Sequence, residues 1–259
     1  MSENKVTFGR IFWPSLWAAL IISIIGTLIW VLVVAGIIGS YGDKKSYTIE
    51  DNTVLHMKLE GRISEKGATK FNPGSFSVDQ KIGLADILNG FETAENDDKI
   101  EGIFIEIDNL SCGYTTAREI RKGINKFEKS GKWVVAYNGG EVVSQQEYYI
   151  SSAANENYGF PTTNVEFLGL GAELSFFKKT MEKLEVEMQV IRGSNNDFKS
   201  AVEPFFRDAM SDSSRLQIER YLNSMWGDIK MDIGKDRKLT SKMLDSIAEH
   251  ALVKDVKDA

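Results

Sequence analysis

The sequence predicts an α/β fold with largely parallel strand pairing, preceded by one transmembrane helix. Three observations lead to this prediction. Short β-branched runs alternate with amphipathic stretches of crossover length, no short-period repeat interrupts them, and an uncharged run covers residues 11–40. A helix between two strands returns the chain to the same edge of a sheet, so alternating elements favour parallel pairing. The 259 residues allow one large or two small domains.

The uncharged run predicts an uncleaved membrane anchor over residues 16–38. This core is rich in Leu, Ile, Val, Ala and Gly and is long enough to span a bilayer. Trp13, Trp17 and Trp30 suit interfacial or lipid-facing positions. A secretory signal peptide has a shorter apolar region and a small-x-small cleavage site. The run ends in Ala-Gly-Ile-Ile-Gly-Ser, a weak cleavage sequence, which favours an anchor over a cleaved signal.

The charges beside the anchor give little information on its orientation. Lys5 and Arg10 precede it and Lys44 and Lys45 follow it, so the positive-inside counts are nearly balanced. A short tail before a large soluble domain usually stays in the cytoplasm. We therefore expect residues 1–15 to form a cytoplasmic tail and the soluble domain to lie on the outer face of the membrane.

A polar linker over residues 39–52 leads to one soluble domain over residues 53–259, in which periodicity predicts the elements. Strands are predicted at Thr53–Leu59, Ile100–Ile107, Trp133–Tyr137, Val165–Leu168 and Val186–Ile191. Helices are predicted at Ile82–Glu95, Thr115–Ser130, Val143–Ala154, Glu173–Leu184, Asp212–Ile233 and Thr240–Ala251. Residues 72–80 contain Pro73-Gly74 and are predicted as loop, and the tail from Leu252 shows no recognisable terminal element.

Composition argues against several classes of function. The chain has 31 basic and 37 acidic residues, a net charge of −6 and no basic block, so we expect no nucleic-acid partner. No Walker loop is present, and Gly169-Leu-Gly171 lacks the third glycine of a dinucleotide fingerprint. We therefore expect no cofactor.

The histidines and the cysteine do not form a recognisable metal or catalytic pattern. The only histidines, His56 and His250, lie in different elements, which argues against a zinc site or a histidine-based triad. His56 alternates with apolar residues of a strand and is interpreted as structural. Cys112 is the single cysteine, so no internal disulfide can form. Without a histidine partner we interpret it as a small loop residue.

Lys199 is the candidate catalytic residue. The pattern Ser200-Ala-Val-Glu203 fits a capping box, in which Ser200 caps a helix and Glu203 reaches back to it. Pro204 would fall in the first turn, where its missing N–H costs little. Lys199 would then lie just outside the positive end of the helix. That field and partial burial would both favour loss of its proton, as a lysine general base requires. The alternative interpretation is a solvated surface lysine.

The segment Lys199–Ser211, Lys-Ser-Ala-Val-Glu-Pro-Phe-Phe-Arg-Asp-Ala-Met-Ser, closely resembles the lysine segment of the signal peptide peptidase A family, the protease IV type of membrane peptidase. Similarity extends to Gly123–Asn138, Gln146–Ala154 and Gly169–Val186, so the resemblance covers about residues 10–259. One departure is the loop before the lysine, which can be shorter in the family. The resemblance implies a ClpP/crotonase-like fold of stacked ββα units.

The resemblance also implies a function. Members of this family are serine endopeptidases of the cell inner membrane that degrade cleaved signal peptides and assemble as rings or bowls facing the bilayer. Their Ser/Lys dyad takes the lysine base from the first of two related halves and the serine from a Gly-Gly-Ser turn in the second. Lys199 would accordingly be the proton acceptor. The implied partners are peptide substrates, the lipid bilayer, and further copies of the chain in a tetramer-like ring or a separate chain bearing the serine.

No nucleophile half is evident in this sequence. The segment Ile103–Ala117 resembles the first-half counterpart of the nucleophile turn, and Gly113 falls where the second half has its serine. Ser111 lies two residues early, while Ser200 and Ser211 are explained as helix caps. We therefore expect the nucleophile from the remainder of a longer protein or from a partner chain.

Two other functions remain open. The chain could be a non-catalytic, membrane-anchored scaffold that keeps the fold for oligomerisation and binding at the membrane surface. It could also be an acyl-CoA enzyme of the wider crotonase class, although the anchor and the lysine segment both argue against that function.

Overall fold

The computed structural model describes residues 8–42, 49–72, 77–191, 193 and 196–259. The chain divides after Ile49 into two compact units. The first unit contains helix α1, Phe8–Gly42. Within it, the 25-residue segment Phe12–Gly36 contains an 18-residue window with a mean hydropathy of 2.7, and none of that window is buried. By length and composition this helix can cross a membrane.

Helix α1 contains the predicted span but extends beyond it. Residues 39–42, predicted as the start of the linker, continue the helix to Gly42, since none of these four residues is a proline or carries a charge. Linker residues 43–48 lie outside the described part of the chain. The membrane anchor and the cytoplasmic tail stay predictions.

The second unit is a mixed arrangement of strands and helices. Its strands are β1 Thr53–Arg62, β2 Ala68–Asn72, β3 Ser77–Lys81, β4 Ile100–Ser111, β5 Trp133–Asn138, β6 Val142–Val143, β7 Glu156–Gly159 and β8 Asn164–Val165. Its helices are α2 Leu84–Asn96, α3 Tyr114–Glu128, α4 Gln145–Ser151, α5 Lys178–Lys183, α6 Glu203–Phe206, α7 Asp212–Arg237 and α8 Ser241–Glu249.

The strands form two parallel sheets and one hairpin. The main sheet has the order β1-β4-β5-β7, all parallel. Strands β6 and β8 form a second parallel pair, and β2 and β3 an antiparallel hairpin. Before α4, the chain adds β5 to the main sheet and then β6 to the second sheet. After α4, it adds β7 to the main sheet beside β5 and then β8 to the second sheet beside β6. The predicted α/β class with parallel pairing is therefore confirmed, in the stacked ββα form that the resemblance implies.

One face of the main sheet carries the core, and α2, α3 and α4 lie against it. Alternate side chains of the strands point to this face and are buried, as expected for a sheet under helices. The buried strand residues are Leu59, Ile103, Ile105, Ile107, Val134 and Ala136, and the buried helix residues that share this core are Ile87, Phe91, Ile120, Ile124, Phe127 and Ile150. This layer holds the C-terminal end of β4 and the start of α3, and so positions the turn between them that contains Gly113.

Helix α7 is tied to α3 and α4 by a buried arginine. Arg121 is 2% exposed. Its guanidinium donates to Ser152 Oγ at 2.7 Å, to the Asp232 carbonyl oxygen at 3.0 Å and to Asp236 Oδ2 at 2.8 Å. It also donates to the Tyr149 carbonyl oxygen and lies over the Tyr149 ring, 4.8 Å from its centroid. Burial lowers the pKa of Arg121, and the carboxylate of Asp236 opposes that shift. This network positions the long helix that follows the lysine segment.

The predicted loop over residues 72–80 is wrong. Asn72 ends β2 and Ser77 begins β3, and the two strands pair antiparallel. The turn between them, residues 73–76, lies outside the described residues. A Pro-Gly pair followed by alternating residues is as typical of a hairpin as of an irregular loop.

The segment between the second sheet and α7 is less regular than predicted. The helix predicted at Glu173–Leu184 shrinks to α5, since the Phe177 N–H donates to the Pro204 carbonyl oxygen at 2.7 Å instead of closing an earlier helical turn. Val186–Ile191, predicted as a strand, has no regular structure. Although its residues alternate, no described strand pairs with it. Without a partner strand, its backbone N–H and C=O groups can form hydrogen bonds only with water, so the segment does not form a strand.

Three of the other predicted boundaries also differ in the structure. The predicted helix Val143–Ala154 shortens to α4, because Val143 pairs in β6, and the predicted strand Val165–Leu168 shortens to β8. The helix predicted to end near Ile233 continues to Arg237. The tail from Leu252, all of which is described, forms no further strand or helix, as the sequence predicts. It meets β8 through one isolated antiparallel bridge between Asp255 and Asn164, with the Val165 N–H donating to the Lys254 carbonyl oxygen at 2.9 Å and the Val256 N–H to the Thr163 carbonyl oxygen at 3.2 Å.

Candidate active site

Lys199 lies in an exposed loop four residues before α6. Its backbone N–H donates to the Asn196 carbonyl oxygen at 3.0 Å, and the Asn196 side chain donates to the Gly193 carbonyl oxygen at 2.6 Å. These bonds form turns on the N-terminal side of the lysine. Lys199 itself is exposed, so its side chain is accessible from outside the domain.

The capping box predicted at Ser200 is wrong. Helix α6 begins at Glu203 after Val202 and spans four residues. The Glu203 N–H donates to the Ser200 carbonyl oxygen at 2.9 Å, which closes a turn, and no Ser200 cap forms. Lys199 therefore lacks both features that the sequence predicted for it, a position at a helix N-terminus and partial burial. A single helical turn is too short to supply the expected field.

Glu203 instead fastens the lysine segment to the start of α7. Its side chain is almost fully buried. Oε1 accepts a hydrogen bond from Ser211 Oγ at 2.6 Å, and Oε2 accepts from the Ser211 N–H at 3.1 Å. Ser211 Oγ in turn accepts from the Ser214 N–H at 3.2 Å, so Ser211 is the N-cap of α7, as the sequence predicts. The segment Lys199–Ser211 is thus held to the core at its far end while its first residue stays accessible.

We expect Ser211→Ala to destabilise the domain by about 1–2 kcal/mol, because it removes a helix cap and a hydroxyl donor to a buried carboxylate. Urea unfolding of the full chain in detergent, followed by tryptophan fluorescence, measures this change. Ser213→Ala, which removes a hydroxyl from the same helical turn, is the control and should change stability by less than about 0.5 kcal/mol. Equal losses in the two variants would contradict the Glu203–Ser211 link.

The turn between β4 and α3 is the counterpart of the family's nucleophile turn by resemblance. Gly113, at the serine position, is the residue before α3 and has a φ of −75°. A Cβ built there would meet nothing within 4 Å. Ser111 ends β4 and is exposed, and its carbonyl oxygen accepts from the Ile63 N–H at 3.0 Å. The turn therefore has room for a side chain at Gly113 but presents none.

Side chains of α4 occupy two backbone donors of this turn. The Leu110 N–H donates to Glu147 Oε1 at 2.7 Å, and the Cys112 N–H donates to Gln146 Oε1 at 3.2 Å. Gln146 Nε2 also donates to the Cys112 carbonyl oxygen at 2.6 Å. An oxyanion hole needs donors aimed at the reacting carbonyl, so these two N–H groups are not free to serve one. The capping pattern Ser144-x-x-Glu147 is visible in the sequence, but nothing in it indicates this clamp.

Cys112 has a thiol that stays protonated at neutral pH. The residue is half-buried, and burial raises the pKa of the thiol from 9.0 to about 11, against the opposing effect of a hydrogen bond with the Ala117 backbone. A thiolate is the reactive form of cysteine. Cys112 is therefore a poor nucleophile, in agreement with its interpretation as a loop residue.

We expect Cys112 to react with iodoacetamide at pH 8 at least about tenfold more slowly than an exposed thiol. Its thiolate fraction is about 100-fold lower, and the greater nucleophilicity of a more basic thiolate recovers only part of this. Ser111→Cys in a Cys112→Ser background is the matched comparison, since Ser111 is the exposed neighbour. Similar alkylation rates for the two thiols would show that burial does not protect Cys112.

The two histidines have local partners. His56 lies on β1 with its Nε2 3.0 Å from Glu106 Oε2, and His250 Nδ1 lies 3.0 Å from the Ser246 carbonyl oxygen at the end of α8. A search of the described residues finds no group of three or more His, Cys, Asp or Glu that could hold a metal ion.

Comparisons with known proteins place the chain in a family. The model for peptidase family S49 matches residues 126–256, about half of the chain, including the whole lysine segment. Protease 4 of Haemophilus influenzae is 31% identical over 216 residues, which are 80% of this chain and 34% of that protein. The chloroplastic serine protease SPPA of Arabidopsis thaliana is 30% identical over 220 residues, 81% of this chain and 31% of that protein. The chain spans about a third of the length of these curated relatives.

A solved structure is also similar. A mutant of the 1510-N membrane-bound stomatin-specific protease matches with a TM-score of 0.43 and 14% identity, covering 81% of this chain and 75% of the other. The family match joins the lysine segment, the β5–β6–α4 unit and α7 in one continuous stretch. The chain belongs to peptidase family S49.

Proposed function

We propose that this chain is the base-bearing part of a membrane-anchored serine endopeptidase, with Lys199 as general base and the nucleophilic serine supplied from outside residues 1–259. The observation that carries the proposal is the family match over residues 126–256, which includes the lysine segment. By resemblance to the family, position 113 is the counterpart of the nucleophile in the second half, and this chain has a glycine there. Its relatives are about two and a half times as long, which leaves ample length for a second half.

The proposed chemistry is acyl transfer through a Ser/Lys dyad. Neutral Lys199 Nζ accepts the proton of the serine hydroxyl while the serine oxygen attacks the carbonyl carbon of the scissile peptide bond. The lysine ammonium then gives the proton to the leaving amine, and the carbon–nitrogen bond breaks to leave an acyl-serine. Water hydrolyses the acyl-serine with Lys199 again accepting a proton. The oxyanion needs backbone donors near the serine.

The exposure of Lys199 supports a base that is completed by a partner. A docked nucleophile half would remove water from the ammonium and favour its neutral form. The Asn196 turn and the Glu203–Ser211 link hold the segment on both sides of the lysine, and the exposed position of Lys199 makes it accessible to a serine from elsewhere.

We further propose the membrane location, the substrates and the assembly of this peptidase. Helix α1 anchors the chain in the inner membrane, with residues 53–259 on the outer face. The substrates are cleaved signal peptides, whose apolar stretches would reach the site laterally from the bilayer. The assembly is an oligomeric ring or bowl. The apolar helix and the bacterial Protease 4 relatives support membrane association.

The alternative function is a scaffold of the same fold without catalysis. The observation that favours it is the clamp on the β4–α3 turn, in which Glu147 and Gln146 occupy backbone donors. A scaffold would assemble normally and hydrolyse no peptide in any pairing.

Hydrolysis by the native assembly tests the proposed function. The assembly is solubilised from membranes with detergent and captured with an antibody against residues 53–250. It is then incubated with a quenched fluorescent peptide that has an apolar stretch of signal-peptide length. The proposal predicts hydrolysis that a fluorophosphonate inhibits, with a serine labelled in the complex. No hydrolysis and no labelled serine in the intact complex would favour the scaffold.

A further inference from the structure

The segment between the second sheet and α6, residues 170–202, has little packing of its own. None of the residues described in this range is buried, and α5, which lies within it, has no buried residue. We name this range the arm. The domain holds it at its two ends, because the Gly169 N–H donates to Gln145 Oε1 at 2.8 Å and the buried Glu203 follows directly after it. Between these ends the Phe177 ring stacks on Phe205, with the ring centroids 6.1 Å apart.

Despite this exposure, the arm is rich in large apolar side chains. Those that expose between 38% and 92% of their surface are Phe177, Leu184, Val186, Met188, Ile191, Phe198 and Val202. Single exposed apolar residues are normal on a protein surface, but a concentration of them marks a surface that another molecule covers. A segment that stays disordered in solution has few such residues. The composition of the arm is therefore typical of an interaction surface rather than of a linker.

The length of the arm agrees with the size of a stable interface. A specific protein–protein interface takes roughly 20–30 residues from each partner, and residues 170–202 supply a stretch of that order. Ordering so many residues costs conformational entropy. Since no described side chain of the arm is buried in the domain, contacts within the domain offset little of this cost. Contacts with another molecule would offset the rest.

The position of Lys199 indicates which molecule covers the arm. Lys199 lies inside it, directly after Phe198 and three residues before Val202. A lysine that takes the proton of a serine must come within about 2.6–3.2 Å of the serine oxygen. The polypeptide that carries the serine must therefore lie against Lys199, and it covers the exposed apolar neighbours of the lysine at the same time. Burial of these neighbours provides hydrophobic stabilisation for the contact.

We propose that the arm is the docking surface for the polypeptide that carries the nucleophilic serine, with Ile191, Phe198 and Val202 buried in the contact. This inference rests on the proposed function. It makes one segment both the base and the support of the nucleophile, so docking and the removal of water from Lys199 occur together. The arm of a second copy would bring another base, which completes no dyad. Acidic residues at positions 182, 185 and 187 lie among the apolar ones, which argues against an anionic lipid surface.

Photo-cross-linking in native membranes tests the docking. The photoreactive residue p-benzoylphenylalanine replaces Phe198 in the native protein, or Met243 in the control, which is an apolar residue of α8 with 50% exposure. Membranes are labelled with a biotinylated fluorophosphonate and irradiated, and the cross-linked peptides are identified by mass spectrometry. We expect position 198 to cross-link to the polypeptide that carries the labelled serine, several-fold more than position 243.

The other outcomes separate this inference from the proposed function. A labelled serine without a cross-link from position 198 to its polypeptide would overturn the docking surface alone. So would cross-links only to residues 53–259 of a second copy, to lipid or to an added apolar peptide. The absence of any labelled serine would overturn the proposed function, and the occupant of the arm with it.

A substitution in the arm provides a second readout. Ile191→Asp would place a carboxylate in the apolar contact, and we expect it to lower fluorophosphonate labelling of the serine at least about tenfold. Ile191→Leu should keep the wild-type labelling, and Met243→Asp makes the same charge change on α8 and should stay within about twofold. Urea unfolding of the domain should not change, because Ile191 is 92% exposed. Wild-type labelling in Ile191→Asp would exclude this part of the arm from the contact.

Discussion

Lys199→Ala is expected to lower peptide hydrolysis by the complete assembly by at least about 100-fold, because general-base catalysis contributes about 10²–10⁴-fold. Lys199→Arg should be equally inactive, since a guanidinium keeps its proton at neutral pH and cannot act as the base. The measurement is kcat/KM on the quenched apolar peptide with assemblies purified from membranes. The unfolding free energy should change by less than about 0.5 kcal/mol, because Lys199 is exposed.

Lys179→Ala is the control for Lys199. Lys179 is an exposed lysine of α5, and its removal makes the same change in net charge outside the lysine segment. Its activity should stay within about twofold of the wild type, as for other surface substitutions. Hydrolysis that survives in Lys199→Ala or Lys199→Arg would exclude Lys199 as the base.

Arg121→Met is expected to destabilise the domain strongly, with a loss of about 3–5 kcal/mol in the free energy of unfolding. The substitution keeps most of the side-chain volume but removes the donors to Asp236, to Ser152 and to two backbone carbonyl oxygens. The Asp236 side chain is 17% exposed, so it would be left as a largely buried charge without its partner. Urea unfolding in detergent measures the loss.

Arg118→Met is the matched control, one turn earlier on the same helix. Arg118 pairs with Asp228 at 2.7 Å, but the two side chains are 36% and 50% exposed. Solvent screens such a pair, so its loss should cost less than about 1 kcal/mol. The double variant Arg121→Met/Asp236→Leu should recover part of the stability, because it removes both charges of the buried pair. A loss for Arg121→Met no larger than for Arg118→Met would contradict the role of the buried network.

The regular part of the fold follows from local patterns. The runs Ile103–Ile107 and Trp133–Tyr137 alternate between buried residues and half-buried or exposed residues on the opposite face of the main sheet, and this period of two is what the sequence displays. Ser211 precedes its helix as a cap, as the pattern predicts. Thr240, predicted as the first residue of the last helix, is its N-cap instead. The lysine segment was identified by its resemblance to a family rather than by physical signals in its residues.

The parts that sequence reasoning missed depend on contacts between distant residues. The capping-box pattern pairs Glu203 with Ser200, three residues earlier. In the structure, the Glu203 carboxylate instead accepts hydrogen bonds from the Ser211 N–H and hydroxyl. The preference of a buried carboxylate for two donors on a helix start cannot be read from a four-residue pattern. The network of Arg121 joins residues more than 100 positions apart, and no periodicity reports it. Val186–Ile191 has a strand pattern without a strand, since pairing is a property of the neighbour as well as of the segment.

The identity of the serine that reacts in the native assembly tests the central claim most directly. Membranes are labelled with a biotinylated fluorophosphonate, the complex is captured with the antibody against residues 53–250, and the labelled peptide is identified by mass spectrometry. We predict one labelled serine that lies outside residues 1–259, in the captured complex, and that loses its label in Lys199→Ala. A label on a serine of this sequence, such as Ser111, or an unchanged label in Lys199→Ala, would contradict the assignment of this chain as the part that supplies the base.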